Sequence, residues 1–358
     1  MDLRSHTGAP AAAVRPRDPS QPGEVRGRLT LKDIARMAGV SRTTASRVLN
    51  GRGEVRPEVR ARVEAVIADT GYTPLASARS LVSNRTGLVG FVVPLRTASL
   101  VQDPYFVALL QGLSHASADR GLAVALFLFD DESDQDGLLE RVIGPRRIDG
   151  LIMSAYHTQD VLLDRLAAFD VPTVTMGPNR WPDVFGSVMV DNVEGGRIAA
   201  RHLLDIGCTR PGIVGGPQDT QSGAERTQGF REVLADAGVA LPDSRVRHGD
   251  FSTPSGEALV ADLADVDGLF VASDAMAVGA VRGLRARGLR VPQDVAVVGY
   301  DDLPLAAEHD PPLTTVRQPI EGIAVAALDM LVDLIEDPAH VAASVLPVEL
   351  VRRASTVR

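Results

Sequence analysis

The stretch RLTLKDIARMAGVSRTTASRVLN, residues 28–50, decides how the N-terminal part of this chain folds. Thr30 stands where a helix N-cap belongs, and Asp33, three positions on, lies close to the exposed amides and the positive end of the helix dipole. Ile34, Ala35 and Ala38 supply one apolar face. Gly39 can take the left-handed conformation that closes a helix, Val40 fills the corner, and Ser41 is placed to cap a second helix running to about Asn50. Two short helices around a glycine turn make a helix-turn-helix, the arrangement that lays its second helix in the major groove of DNA.

Downstream, Arg56-Pro57-Glu58 opens a third helix with Pro at its first position, and Val59, Val63, Val66 and Ile67 keep helical spacing until Gly71. The segment Leu75 to Val82, after Pro74, is too short for a stable helix in isolation and reads as a linker that folds only when held. Residues 1–28 are rich in Pro, Ala, Arg and Gly without periodicity and are expected to be disordered, either an inert tail or a weak DNA-contacting arm. Charge is segregated along the chain. Between Val25 and Arg85 there are 12 Lys or Arg against 5 acids, a net +7, so the acidic remainder carries −16 for the whole to reach −9. A basic head on an acidic body is expected where one part meets phosphate and the other does not.

With 358 residues the chain has room for two or three domains, and no run approaches the roughly 18 apolar residues of a membrane span. The early apolar patch Ala11 to Val14 is too short for a signal segment, and the single cysteine, Cys208, excludes an internal disulfide and suits a reducing cytoplasm. From Leu88 the pattern becomes short apolar strands alternating with amphipathic helices. The strands are expected at 88–93, 122–129, 150–153, 173–176, 187–190, 212–214, 268–271 and 295–298, with helices such as 104–120, 193–206, 224–237 and 275–287 between them. That alternation predicts parallel sheets covered on both faces, binding ligands at the carboxyl ends of their strands.

These residues resemble the LacI/GalR transcriptional regulators. The resemblance runs from about Thr30 to the last residues and rests on LKDIARMAGVSRTTASRVLN, the ARSL of Ala78 to Leu81, SDAMAVGA at 273–280, VAVVGYDD ending at Asp302, PPLTTVRQP at 311–319 and ELVRRAST near the C-terminus. It implies an all-α helix-turn-helix head with a hinge helix, followed by a two-lobed α/β core like that of the periplasmic binding proteins. The domains are then a disordered extension at 1–28, the head at 29–73, the hinge linker at 74–86 and an effector-binding and dimerisation core at 87–358. Lobe 1 is expected at about 87–190 and 314–343, and lobe 2 at about 191–313 and 344–358. The partners implied are double-stranded operator DNA, a second copy of the chain and a small effector, most simply a sugar, in a cytoplasmic, nucleoid-associated repressor with no membrane contact. No cofactor or metal is expected. The lack of a leucine heptad after the last strand favours a dimer over a tetramer.

Within the second helix, Arg42, Thr43 and Arg47 match positions that the family uses to reach base edges. An arginine offers two parallel donors to guanine, and Arg42 reads equally as a phosphate clamp. Thr30, Ser41, Thr44, Ser46 and Asn50 are better placed to cap helices or touch phosphates. Ala78 and Leu81 match the hinge motif, whose leucine would enter the minor groove and kink the duplex.

A polyol needs planar donors, carboxylates that accept hydroxyls and an aromatic face. By motif, Arg226 would clamp the ligand, Asp301 would accept hydroxyls, and Phe106 and Phe251 would line the pocket, with Tyr105, Ser273 and Asp274 beside them. Each has a plainer reading: Phe106 as core, Arg226 and Asp301 as a pair across the cleft, Asp274 as a helix cap. Ser273 replaces an Asn common in the family, and Gly177-Pro178 stands where an acidic or polar residue is frequent. Trp181 is expected near the cleft mouth. Two other readings remain: a nucleobase or a partner protein as corepressor, and an α/β enzyme with an accessory DNA-binding domain. The enzyme reading finds no nucleophile elbow, phosphate-binding loop or dinucleotide fingerprint in the sequence.

Overall fold

A computed structural model describes residues 29–49, 53–72, 85–93, 103–128, 136–145, 147–154, 162–263 and 265–357. The expected extension at 1–28, Asn50, Ala78 and Leu81 lie outside the described residues. The chain divides into two compact units, Met1–Arg79 and Ser80–Arg358.

In the first unit α1 (Leu31–Met37) and α2 (Arg42–Leu49) meet α3 (Pro57–Thr70) around Ile34, Ala35, Ala38, Ala45, Val48 and Val63, which are all buried. Each helix is too short to stand alone, so burial of this shared apolar face is what holds them. Thr30 caps α1 in a reciprocal box: its Oγ1 accepts from the Asp33 amide at 3.4 Å while its own amide donates to Asp33 Oδ2 at 3.0 Å. The turn into α2 passes through Gly39 at φ +65, which a side-chain-bearing residue rarely adopts.

The second unit holds two six-stranded sheets. The first contains β1 (Leu88–Val93), β2 (Ala123–Leu128), β3 (Gly150–Ser154), β4 (Thr173–Met176) and β5 (Gly186–Val190). The second contains β6 (Pro211–Gly215), β7 (Val246–His248), β8 (Gly268–Val271), β9 (Ala296–Asp301) and β10 (Thr314–Arg317). Each receives one further strand from the C-terminal region, β11 (Ala343–Leu346) on the first and β12 (Glu349–Val351) on the second, giving the orders β11-β5-β4-β3-β1-β2 and β12-β10-β9-β8-β6-β7. All pairings are parallel except β10 with β12. In both sheets the chain starts one strand in from an edge, moves to that edge, then returns and builds toward the other side, so the same topological switch occurs twice. The matching start is pinned the same way in each lobe: Asp149 accepts the amides of Thr86 and Gly87 at 2.6 and 2.7 Å, and Asp267 those of Thr209 and Arg210 at 2.9 and 2.8 Å.

The eight expected strands are present with ends shifted by up to three residues, and four more accompany them, β7, β10, β11 and β12. Two expected lobe boundaries move. Thr314–Arg317 pairs with β9, so it belongs to the second lobe and the chain crosses after Arg317; Ala343–Leu346 pairs with β5, so the last crossing falls after Leu346. The hydrogen-bonded register decides membership, and the helix Ile320–Glu336 covers the first sheet between those crossings.

The helices Asn192–Asp205 and Gln221–Asp236 lie unusually close, because glycines sit where they touch. A Cβ on Gly229 would stand 1.8 Å from the Val193 carbonyl oxygen, and one on Gly196 2.1 Å from that of Arg226. The close approach sets Arg226 beside Asn192 on the neighbouring helix. Gly229→Ala is expected to destabilise the core by roughly 1–3 kcal/mol in a urea melt, despite alanine's better helix propensity, since the obstacle is backbone. An unchanged midpoint would mean that the helices part at no cost.

Candidate functional site

Arg42, Thr43 and Arg47 are exposed on α2, and Thr43 and Arg47, four apart, share one face of it. The hydroxyls beside them are used in folding. The Thr44 amide donates to Ser41 Oγ at 3.0 Å and the two hydroxyl oxygens lie 2.9 Å apart, while Thr30 caps α1. Ser46 is half-buried. The helix thus presents two guanidinium groups and a threonine, with its capping hydroxyls turned to its own backbone.

In the second unit a cleft of about 380 Å³ opens at the carboxyl ends of both sheets. Lobe 1 supplies Asp103, Tyr105 and Phe106 at the start of the helix Pro104–Asp119, with Ser154 after β3 and Met176, Gly177 and Pro178 after β4. Lobe 2 supplies Asn192, Gln221, Arg226, Asp250, Phe251, Ser273, Asp301 and, from the crossing after β10, Gln318. Tyr105 and Phe106 pack edge to face with centroids 5.2 Å apart, and Phe106, 4 % exposed, serves both the lobe 1 core and the cleft wall.

Arg226 organises the floor. Its Nε donates to Asn192 Oδ1 at 2.9 Å, one terminal nitrogen donates to the Ala272 carbonyl at 2.7 Å and lies 3.6 Å from Asp301 Oδ1, and the guanidinium stacks 3.6 Å from the Tyr300 ring centroid. The expected pairing of Arg226 and Asp301 across the cleft is therefore corrected: both belong to lobe 2. Asp301 also accepts from Gln318 Nε2 at 2.6 Å. Burial pushes its carboxyl up to about 7, against the pull of Arg226, and burial likewise raises Asp103 to about 6, against the Tyr105 amide it caps. Asp301 at φ +114 and Phe251 at φ +68 are held in backbone conformations that cost energy, and both face the cleft.

Asp274 does not reach this cavity. It is fully buried, accepts from Thr315 Oγ1 at 2.6 Å and from the Leu303 amide at 2.8 Å, and ties three segments of lobe 2 together. The expected ligand contact is corrected to that structural role. Nor does Asp274 cap its helix, a task that falls to Ser273, whose Oγ accepts from the Met276 amide at 3.2 Å while the residue lines the cleft. Trp181 is also absent from the lining, and its indole donates to Asp164 Oδ1 at 3.0 Å. Sequence reasoning missed Asn192, Gln318 and Asp103. Local signals existed for two of them, Gln318 in the RQP motif and Asp103 as a cap residue directly before Pro104.

Residues 30–75 match the model for bacterial regulatory proteins of the lacI family, and residues 200–356 the periplasmic binding protein-like domain. The HTH-type transcriptional regulator CelR of Thermobifida fusca is 39% identical over 318 residues, covering 87% of this chain and 93% of its own. The ribose operon repressor of Escherichia coli K12 is 34% identical, with 86% and 94% covered. Among solved structures, a CelR–cellobiose complex aligns at TM-score 0.72 with 37% identity, covering 92% of this chain and 100% of that one. The Lac repressor dimer bound to operator and the anti-inducer ONPF aligns at 0.81 with 27% identity, covering 92% and 99%. The two-lobed core and helix-turn-helix head are those of a ligand-responsive transcription factor. The chain belongs to the LacI family of bacterial transcriptional regulators, and these relatives are regulators rather than enzymes. No described helix is long and apolar enough to cross a membrane.

The raised Asp301 carboxyl gives a signed expectation. A folded value of about 7 against 3.8 means the folded core prefers the protonated acid, a contribution fully present below the lower value and lost as pH rises through the upper one. Asp301→Asn removes that loss. In paired urea melts the variant's stability relative to wild type should therefore rise between about pH 4 and pH 7 and level off above. A difference that stays flat across this range would show that Asp301 ionises as freely as in the unfolded chain.

Proposed function

We propose that this chain is a repressor that binds a palindromic operator as a homodimer and is controlled by a sugar held between its lobes. The observation that carries the reading is the cleft: fixed carboxylates, a clamped arginine and an aromatic wall converge at the strand ends of two lobes in a chain whose head presents Arg42, Thr43 and Arg47. In this reading Arg47 makes paired donor contacts to a guanine, Arg42 reaches a base or a phosphate, and Ser41, Thr44 and Thr30 set the helices that aim them. Leu81, assigned from the ARSL motif, enters the minor groove with its counterpart in the second subunit, and Ala78 lies along the same linker. The dimer acts in the cytoplasm on the nucleoid. Lobe 1 is assigned to 87–190 and 320–346, and lobe 2 to 191–317 and 349–358, the head and linker keeping the ranges given above.

Tyr105, Phe106 and Phe251 offer apolar faces to a sugar ring, Asp301 and Asn192 accept its hydroxyls, and Ser273 supplies a small hydroxyl. Gly177-Pro178 leaves room where the family often carries a larger polar side chain. The CelR complex makes cellobiose the first ligand to try. Ligand closure biases the dimer between two arrangements, only one of which lets both linkers fold on DNA.

The test is a gel-shift titration on a palindromic site from the promoter of the chain's own gene, with and without cellobiose, ribose and related sugars. Binding that a sugar alters several-fold supports the reading; sequence-independent binding that no sugar changes overturns it. Arg47→Ala should weaken specific binding by roughly 1–3 kcal/mol and relax preference at one base pair per half-site, leaving the sugar-induced thermal shift unchanged. Leu81→Ala should reduce DNA bending in a circular-permutation assay with effector binding intact.

A further inference from the structure

The charges around the cleft are lopsided. Among the described lining residues the acids are Asp103, Asp250 and Asp301, and the only basic side chain is Arg226. That arginine is already committed: two of its nitrogens donate to Asn192 and to the Ala272 carbonyl, Asp301 lies beside it, and its face is covered by Tyr300. An incoming anion would have to displace those partners to gain a charge-assisted bond. The carboxyl groups are distributed on both walls, Asp103 on lobe 1 and Asp301 on lobe 2, close enough that Asp103 adds to the cost of ionising Asp301. Behind Asp301 no cation is supplied by the buried Asp274, whose carboxyl burial holds well above the usual range, or by the neighbouring Tyr105 and Tyr300. Asp302 is neutralised by Arg317 at 2.7 Å and by Arg353.

We propose that the cleft selects by charge, accepting neutral or cationic polyhydroxylated ligands and rejecting their phosphorylated or carboxylated counterparts. This rests on the sugar-effector reading above and narrows it to unphosphorylated, non-acidic sugars. A neutral polyol donates hydroxyl protons to the carboxylates it meets. A phosphate or carboxylate offers only acceptors to a wall already rich in them, in a site where closure removes the water that would screen the repulsion. A cationic amino sugar adds an ammonium that the acidic walls favour.

The test uses matched pairs on the full-length protein: cellobiose with cellobionate, glucose with glucose 6-phosphate and glucuronate, glucosamine as the cationic member, and hypoxanthine with inosine monophosphate. Calorimetric titration should show the neutral or cationic member of a binding pair favoured by on the order of a hundredfold over its anionic partner. Asp103→Asn, which keeps the helix cap because Asn also caps well, should shrink that ratio about tenfold by improving the anionic member more than the neutral one. An anionic member that binds as well as its neutral partner overturns the charge rule while leaving the sugar reading in place. Binding confined to hypoxanthine overturns the sugar reading, and the inosine monophosphate comparison then decides the charge rule alone. A panel in which nothing binds overturns both.

Discussion

The second lobe is arranged around one buried guanidinium. Arg226 is only 6 % exposed, and an ion so far from water is tolerable only when every side of it is answered. Asn192, the Ala272 carbonyl, and the adjacent Tyr300 ring and Asp301 answer it from three parts of the chain. Each of those partners depends on a further contact. Asn192 reaches Arg226 because two helices approach within the reach of glycine alone, and Tyr300 Oη also donates to Asn192 at 3.3 Å. Asp301 is held by Gln318 as the chain leaves for lobe 1, so the arginine's environment ends where the crossing begins.

This connects the cleft to the crossings physically. Asp301 and Asp302 follow one another at the end of β9, both with positive φ, but they face different partners. Asp301 looks into the cavity and accepts from Gln318. Asp302 accepts from Arg317, the residue before Gln318, which also donates to Glu349 at 2.7 Å beside the last crossing. Two crossings and one wall of the cavity therefore share a four-residue frame, Asp301, Asp302, Arg317 and Gln318. A ligand that shifts Asp301 acts on groups that are bonded to the connections between the lobes.

Much of this was legible in the residue pattern. The helix-turn-helix follows from local signals, a threonine cap with its Asp33 partner, the Gly39 turn and apolar spacing, and those signals act within a few residues of one another. The long parallel strands were visible because burial on both faces leaves continuous apolar runs, as in β1 and β8. What escaped was set at a distance. Thr314–Arg317 is only four residues long between Pro312 and Pro319, too short a run to stand out, and its pairing with β9 makes it a strand. Ala343–Leu346 and Glu349–Val351 are edge strands that are only partly buried, so their alternation carries little apolar signal. Asn192 looks like an ordinary helix-start residue until Arg226, in a later helix, supplies its partner. Asp274 misled for the opposite reason: it sits one residue from Ser273, which does line the cleft, but helix geometry turns its carboxylate inward to Thr315 and Leu303.

Because β11 and β12 come after the other ten described strands, neither sheet is complete until they have been made. Lobe 1 waits for the helix Ile320–Glu336 and for Ala343–Leu346, which pairs with a strand made about 150 residues earlier, and lobe 2 waits for Glu349–Val351. The early strands therefore wait with their apolar faces incompletely covered until these later elements emerge. The head has no such dependence, since among the described residues Leu31 to Thr70 contains the three helices of its small core. The DNA-binding part is ready before the part that regulates it.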